Sequence, residues 1–241
     1  DLKDSEKSDK KVQYETLNDI EIGYQVQLQK VGFSIHAFHM QYDNQLVLTG
    51  KLNDVGDPIM ENVKNSFRQG LEFSFGYRPA KEVSWNATLS LSNNKIENYI
   101  ESATNYDENW EEELQTKNLG TTDISYSPNT VASSNLMFYP NSKLSYGFTS
   151  KFVGEQFFDN TSSNTRKLDS YFIHNFQCNY FIPFKDKKAL NLQFLINNLV
   201  DAQYISNAYG GNWYEQGVEK SWMYYYPQAG INYMLKISFD F

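Results

Sequence analysis

The 241-residue sequence is short of several things that define common protein classes. It has no uninterrupted apolar run of 18 residues, so a membrane-spanning helix is excluded. A single cysteine, Cys178, rules out an internal disulfide and any two-cysteine metal or redox motif. Six prolines and 13 glycines are too few for a collagen-like or proline-rich disordered chain. Positive charge is scarce: 21 Lys and Arg stand against 29 Asp and Glu, a net charge of −8, and no basic cluster suited to nucleic acid is present. No G-x-S-x-G or H-E-x-x-H occurs, which leaves hydrolytic chemistry without its usual residues.

Rings, by contrast, are plentiful. Aromatic residues make up 16% of the chain, with 18 Tyr and 17 Phe, although only 40% of residues are hydrophobic. The rings sit in strict period-two patterns. Ile20, Ile22, Tyr24, Val26 and Leu28 alternate with Glu21, Gly23, Gln25, Gln27 and Gln29. Val83, Trp85, Ala87, Leu89 and Leu91 alternate with Ser84, Asn86, Thr88, Ser90 and Ser92. The same habit recurs around 33–42, 67–77, 132–138, 144–152, 172–182, 190–196 and 233–241, giving nine expected strands and no helix. Within the second strand the apolar phase slips between Ala37 and Phe38, which predicts a bulge there.

Connections alternate as well. Short turns are expected near 30–32, 78–82, 140–143 and 183–189, and long ones at 43–66, 97–129, 158–167 and 199–226. Short connections on one side and long ones on the other, with strands of about 9–11 residues, describe an antiparallel transmembrane β-barrel of the outer-membrane type. Such a strand must have every backbone group paired, with one face on lipid and the other on water or a plug. The opposite arrangement, a soluble sandwich or lipocalin-like barrel, would need these rings packed inside. Barrels of this kind close with even strand numbers, so nine strands predict the C-terminal part of a larger barrel. Residues 1–16 read as the end of an extracellular loop and residues 17–241 as barrel. The polar N-terminus has no apolar signal-peptide core, so an export signal would lie upstream.

LNDIEIGY (17–24), FVGEQFFDNT (152–161), NNLVDAQY (197–204) and YPQAGINYMLKISFDF (226–241) resemble the C-terminal half of TonB-dependent outer-membrane receptors, in a style similar to members from Bacteroidota. Val200 departs from the Phe more usual in the family's NLF-D-x-x-Y stretch. The resemblance implies a barrel of about 22 strands closed by an N-terminal plug, of which this sequence would supply roughly the last nine strands and none of the plug. It also implies active import of a scarce, bulky ligand (an iron–siderophore complex, haem, cobalamin or an oligosaccharide) powered through TonB, with no bond in the ligand broken and no enzymatic activity. Two alternatives remain: the glycan-importing branch of the superfamily, working with a surface lipoprotein, and a smaller stand-alone barrel serving as adhesin or anchor. The location implied is the bacterial outer membrane, with its lipid and the barrel-assembly machinery as partners.

Candidate sites follow. In the loop at 199–226, Tyr209, Trp213 and Tyr214 offer rings and polar handles to a ligand, whereas Tyr224, Tyr225 and Tyr226 suit an aromatic girdle. Phe239 and the terminal Phe241 resemble the signal read by the barrel-assembly machinery. Between Glu97 and Asn129 eight acids face one Lys117; this segment reads as a solvated acidic loop without Ca²⁺-loop spacing. His36 and His39 fall on opposite faces of one strand and His174 stands alone, so no metal site is expected; nor is any cofactor or catalytic residue. Glu72 and Arg68 read as lumenal charges that pair with a plug or neighbouring strands.

Overall fold

Alternating strands can bury one face or expose two different ones, and here they expose two. The computed structural model describes residues 12–184 and 188–240, and within them the only helical element is one 3₁₀ turn, Asn164–Arg166. Fourteen strands form: β1 (Thr16–Gln27), β2 (Val31–Leu52), β3 (Pro58–Ala80), β4 (Val83–Tyr106), β5 (Glu112–Asp123), β6 (Thr130–Phe138), β7 (Leu144–Val153), β8 (Gln156–Phe157), β9 (Lys167–Leu168), β10 (Tyr171–Pro183), β11 (Ala189–Asn197), β12 (Ile205–Glu215), β13 (Val218–Pro227) and β14 (Asn232–Asp240). Nine of them run as an antiparallel meander, β1-β2-β3-β4-β6-β7-β10-β11-β14, and these are the nine strands expected from the alternation.

Register carries the apolar pattern across the whole sheet. Leu136, Phe148, Phe176, Ile196 and Tyr233 are directly opposite one another on five successive strands, and Phe138, Tyr146, Cys178, Phe194 and Leu235 form the next row. Because the pleat has period two, one matched pair aligns every other ring on the same face. That face is bare: Ile22, Leu235 and Ile237 are 75%, 63% and 64% exposed. The other face is polar, with Asn135 bonded to Thr149 and Thr88 to Ser133. A water-soluble sheet would cover its rings; this one presents them outward, as a lipid-facing wall does. The sheet is an open segment of a barrel: β1 pairs with β2 and β14 with β11, and the two edge strands do not meet.

The sequence-based expectations need three corrections. The bulge at Ala37/Phe38 is absent, since β2 pairs without a break from Val31↔Tyr77 to Asp43↔Asn65. Phe38 simply takes the polar face opposite Gly70, where a Cβ would come within 3.0 Å of its ring and 2.3 Å of the Leu91 carbonyl. Three of the long connections are also not plain loops, whereas 158–167 is irregular apart from its 3₁₀ turn and the start of β9. β2 and β3 continue to a tight turn at 53–57, β4 continues to pair with β5, and β12 and β13 make a hairpin, so the polar strand continues well past the wall. Finally, the acidic segment is not uniformly solvated: Glu101 is buried and Asp123 accepts from Lys95 at 2.6 Å.

Candidate functional site

The two buried apolar clusters of the described residues lie above the wall. One apolar cluster joins Val47, Val63, Ile96 and Ile124 with Tyr99 against it; a second joins Phe158, Leu168 and Ala208 with Tyr126, Ile205 and Met223. They tie β2, β3 and β4 to residues 124–126, to the 156–168 segment and to β12–β13. Asn160, fully buried, links three of these pieces: its side chain accepts from the Ser125 amide and donates to the Leu48 carbonyl, both at 2.8 Å. Gly50 has φ +79°, and a Cβ there would sit 2.9 Å from the Phe158 carbonyl oxygen, so only glycine lets β2 approach this segment.

Arg166 is held in the middle of this upper structure. Its Nη1 donates to Glu101 at 3.0 Å and to Asp159 at 2.8 Å, and its Nη2 donates to Glu219. Asn212 of β12 donates to the same Glu101 oxygen at 2.9 Å. Burial alone would lower the guanidinium's pKa; Asp159 and Glu101 outweigh it, and the net shift is upward. Burial likewise pushes up the Tyr99 phenol, helped by the Glu61 carboxylate that its hydroxyl donates to at 2.8 Å.

Beside this cluster a cavity of about 1060 Å³ opens between the β2–β3 hairpin, β4, the 159–166 segment and β12. Its charged lining is Lys51, Lys64, Glu61, Glu101, Asp159 and Arg166, and its remaining polar lining is mostly amide and hydroxyl. Among the described residues Tyr99 is its only ring.

The three rings singled out in the sequence are separated. Tyr209 joins Trp222, Tyr224 and Tyr226 in an array with centroids 5.5–5.6 Å from its own, away from the cavity lining. Trp213 donates to Glu215 at 2.8 Å. Tyr214 points to the other side of β12 and is buried, with no hydrogen-bond partner for its hydroxyl among the described residues; burial and the nearby Glu101 and Glu219 raise its pKa. Phe239 lies on the aromatic face beside Phe184, and Phe241 lies outside the described residues. His36 stands opposite Glu72 on the polar face, while His39 stacks on Phe67 on the aromatic face. Arg68 donates to Ser127 at 2.9 Å rather than to Glu72.

Arg166 was not singled out from sequence. The signal that could have found it is the Arg166-Lys167 pair, which closely follows the FVGEQFFDNT stretch after a run of Ser, Asn and Thr.

Comparison with known proteins agrees with this architecture. A family model described as TonB dependent receptor-like, beta-barrel matches residues 7–199. The ferric-catecholate import receptor Fiu from E. coli K12 superposes with a TM-score of 0.59 at 14% identity, over 92% of this chain and 27% of its own. The siderophore receptor PiuA from Acinetobacter baumannii gives 0.63 at 14% identity, over 92% and 28%. The copper transporter OprC gives 0.63 at 15% identity, over 96% and 32%. The chain thus spans about a third or less of these structures, which share its fold. No curated protein matches the sequence.

Proposed function

The chain belongs to the TonB dependent receptor-like β-barrel family, and from that premise we propose that it forms part of the wall and the outer vestibule of an active importer in the bacterial outer membrane. The observation that carries this reading is the joining of two unlike parts. A nine-stranded sheet turns its rings outward, and its strands continue into a packed upper structure with an open cavity lined by charged, amide and apolar side chains. An anchor needs only the wall. A buried Arg166 network and a cavity above it are what a receptor needs to hold a ligand before transport.

In this reading the ligand enters from the side of the long connections. TonB, acting through a plug supplied by another part of the protein, then drives its passage through the lumen, and no bond in the ligand changes. A metal chelate is the first cargo to test, because Fiu, PiuA and OprC are named for ferric catecholates, siderophores and copper. The Bacteroidota-like style of the four sequence stretches points to the source. Phe239 and Phe241 serve as the assembly signal, and residues 12–15 end an outer loop: Gln13 exchanges hydrogen bonds with Asn62, and Glu15 accepts from the Leu46 amide. Of the three rings, Tyr209 and Trp213 are the ones left to contact ligand, outside the cavity lining, with Tyr214 acting as support.

The test is uptake in cells carrying the full-length gene, with and without TonB. Accumulation of labelled ferric siderophore, haem or copper that disappears without TonB supports the reading. Equal accumulation of every probe in cells lacking the receptor refutes it.

A further inference from the structure

The cavity's charges are sorted by element, and that sorting implies a ligand class. Lys51 and Lys64 come from the β2–β3 hairpin, and neither forms an ion pair among the described residues. Both ammonium groups are therefore free to meet a ligand. Across from them, on β4 and the 159–166 segment, stand Glu101 and Asp159 with Arg166. Arg166 offers a ligand little charge, because its Nη1 already serves Glu101 and Asp159 and its Nη2 serves Glu219. One cation against the two carboxylates that line this wall, Glu101 and Asp159, leaves it one negative charge in excess. Glu61 is the one acid on the lysine side, and the Tyr99 hydroxyl donates to it.

Gln13, Asn44, Asn62 and Asn212 also line the cavity. The Asn62 amide is engaged by Gln13 and Asn44, and Asn212 donates to Glu101, which leaves the Gln13 and Asn44 side chains and the Asn212 oxygen to a ligand's amides. A flat, ring-rich ligand would need stacking partners, and one tyrosine supplies few. A multiply charged anion would meet the lysines but also the acidic wall, where like charges repel.

Building on the importer reading above, we propose that this cavity takes a zwitterionic, amide-rich ligand, its carboxylate held by Lys51 and Lys64 and its cationic group facing Glu101 and Asp159. A free oligopeptide and a ferric chelate built on a peptide share this chemistry. At about 1060 Å³ the cavity sits at the upper end of ordinary ligand pockets, room enough for several residues of extended chain.

The experiment is calorimetric titration of the full-length receptor in detergent. The probes are hexaglycine, hexaglycine with acetylated N-terminus and amidated C-terminus, ferric pyoverdine as a peptide-bearing chelate, ferric enterobactin as a trianion, and maltohexaose as a neutral polyol. Binding of hexaglycine or ferric pyoverdine is expected, and which of the two binds tells free peptide from chelate. For a hexaglycine binder, blocking both ends should weaken affinity at least tenfold. The double variant Lys51→Gln, Lys64→Gln should weaken either zwitterion about tenfold while the heat-modifiable folded band is kept. Equal binding of blocked and free peptide, tight binding of the trianion or the polyol alone, or no zwitterion binding at all overturns the proposal. Uptake separates this from the importer reading: a zwitterion that binds while no probe, metal chelates included, is taken up in a TonB-dependent way refutes the importer and leaves the cavity chemistry standing.

Discussion

Replacing Arg166 by Met removes the cation that, among the described residues, neutralises Glu101 and Asp159, whose side chains are 10% and 9% exposed. Methionine keeps much of the length and apolar stem, so the loss is one of charge and hydrogen bonds rather than volume. Breaking a buried pair from one side costs on the order of 3–5 kcal/mol, because the orphaned carboxylates cannot regain water. Glu219, 44% exposed, adds little and needs no such allowance. The cluster ties together β4, the 159–166 segment and β13, all above the wall, so the cost should fall on that unit and leave the nine-stranded sheet intact. At 1.4 kcal/mol per tenfold, local opening should rise by roughly two to three and a half orders of magnitude. Hydrogen-exchange mass spectrometry of the full-length receptor reads this directly: peptides covering 156–168 and 205–219 should exchange much faster in the variant, and peptides from β10, β11 and β14 should not change. Glu219→Gln, the control, should shift the same peptides by less than about tenfold. Unchanged exchange in the Arg166→Met protein would refute the account of the cluster, and loss of the heat-modifiable band would refute its independence from the wall.

Other outcomes follow from the same geometry. Tyr99 has its phenol pKa raised, so the folded state keeps the proton after the unfolded chain has lost it. Its contribution is complete below the ordinary phenol value of about 10 and falls as pH rises beyond it. Tyr99→Phe should remove that alkaline loss, at a cost of about 1.5–3 kcal/mol for the Glu61 hydrogen bond, as read by exchange in 95–106 and 58–65. Gly50→Ala places a Cβ at φ +79°, 2.9 Å from the Phe158 carbonyl, and should speed exchange in 156–168 by at least the ~1 kcal/mol of a left-handed alanine. Ile237→Arg on the bare face should cost about 2–4 kcal/mol of folding into vesicles, whereas Gln193→Arg on the polar face should cost far less. Deleting Phe241 in the full-length gene should lower outer-membrane levels of the receptor, measured by immunoblot.

The wall was legible in the sequence because lipid imposes a rule that each strand obeys alone. Leu89 or Ile237 must be apolar and Ser90 or Ser238 polar, whatever their neighbours, so alternation survives reading one strand at a time. Phe38 and Met40 broke that rule because the polar face tolerates apolar side chains wherever a neighbour such as Gly70 leaves room. The upper structure was not legible for the opposite reason. Arg166 meets Glu101, Asp159 and Glu219 across 65, 7 and 53 residues of sequence, and nothing local marks those partners. The strands β12 and β13 carry rings on both faces and polar residues throughout, so their period does not tell hairpin from loop. The sequence stretches that resemble the receptor family, in contrast, now have physical reasons. Asn198 of NNLVDAQY bonds the Ala202 and Ala229 carbonyls, and Asp201 accepts from the Ile231 amide, so that stretch and YPQAG close onto each other.

The central claim is that one face of this sheet meets lipid and the other does not. The most direct measurement is a nitroxide scan along β14 and β11 of the full-length receptor in bilayers, with Cys178 replaced. Residues 190, 192, 194, 235, 237 and 239 should be accessible to oxygen dissolved in lipid. Residues 191, 193, 236 and 238 should instead be accessible to a polar nickel complex, or shielded from both reagents. Accessibility to the polar reagent at both sets, without alternation, would contradict the membrane wall and the importer built on it.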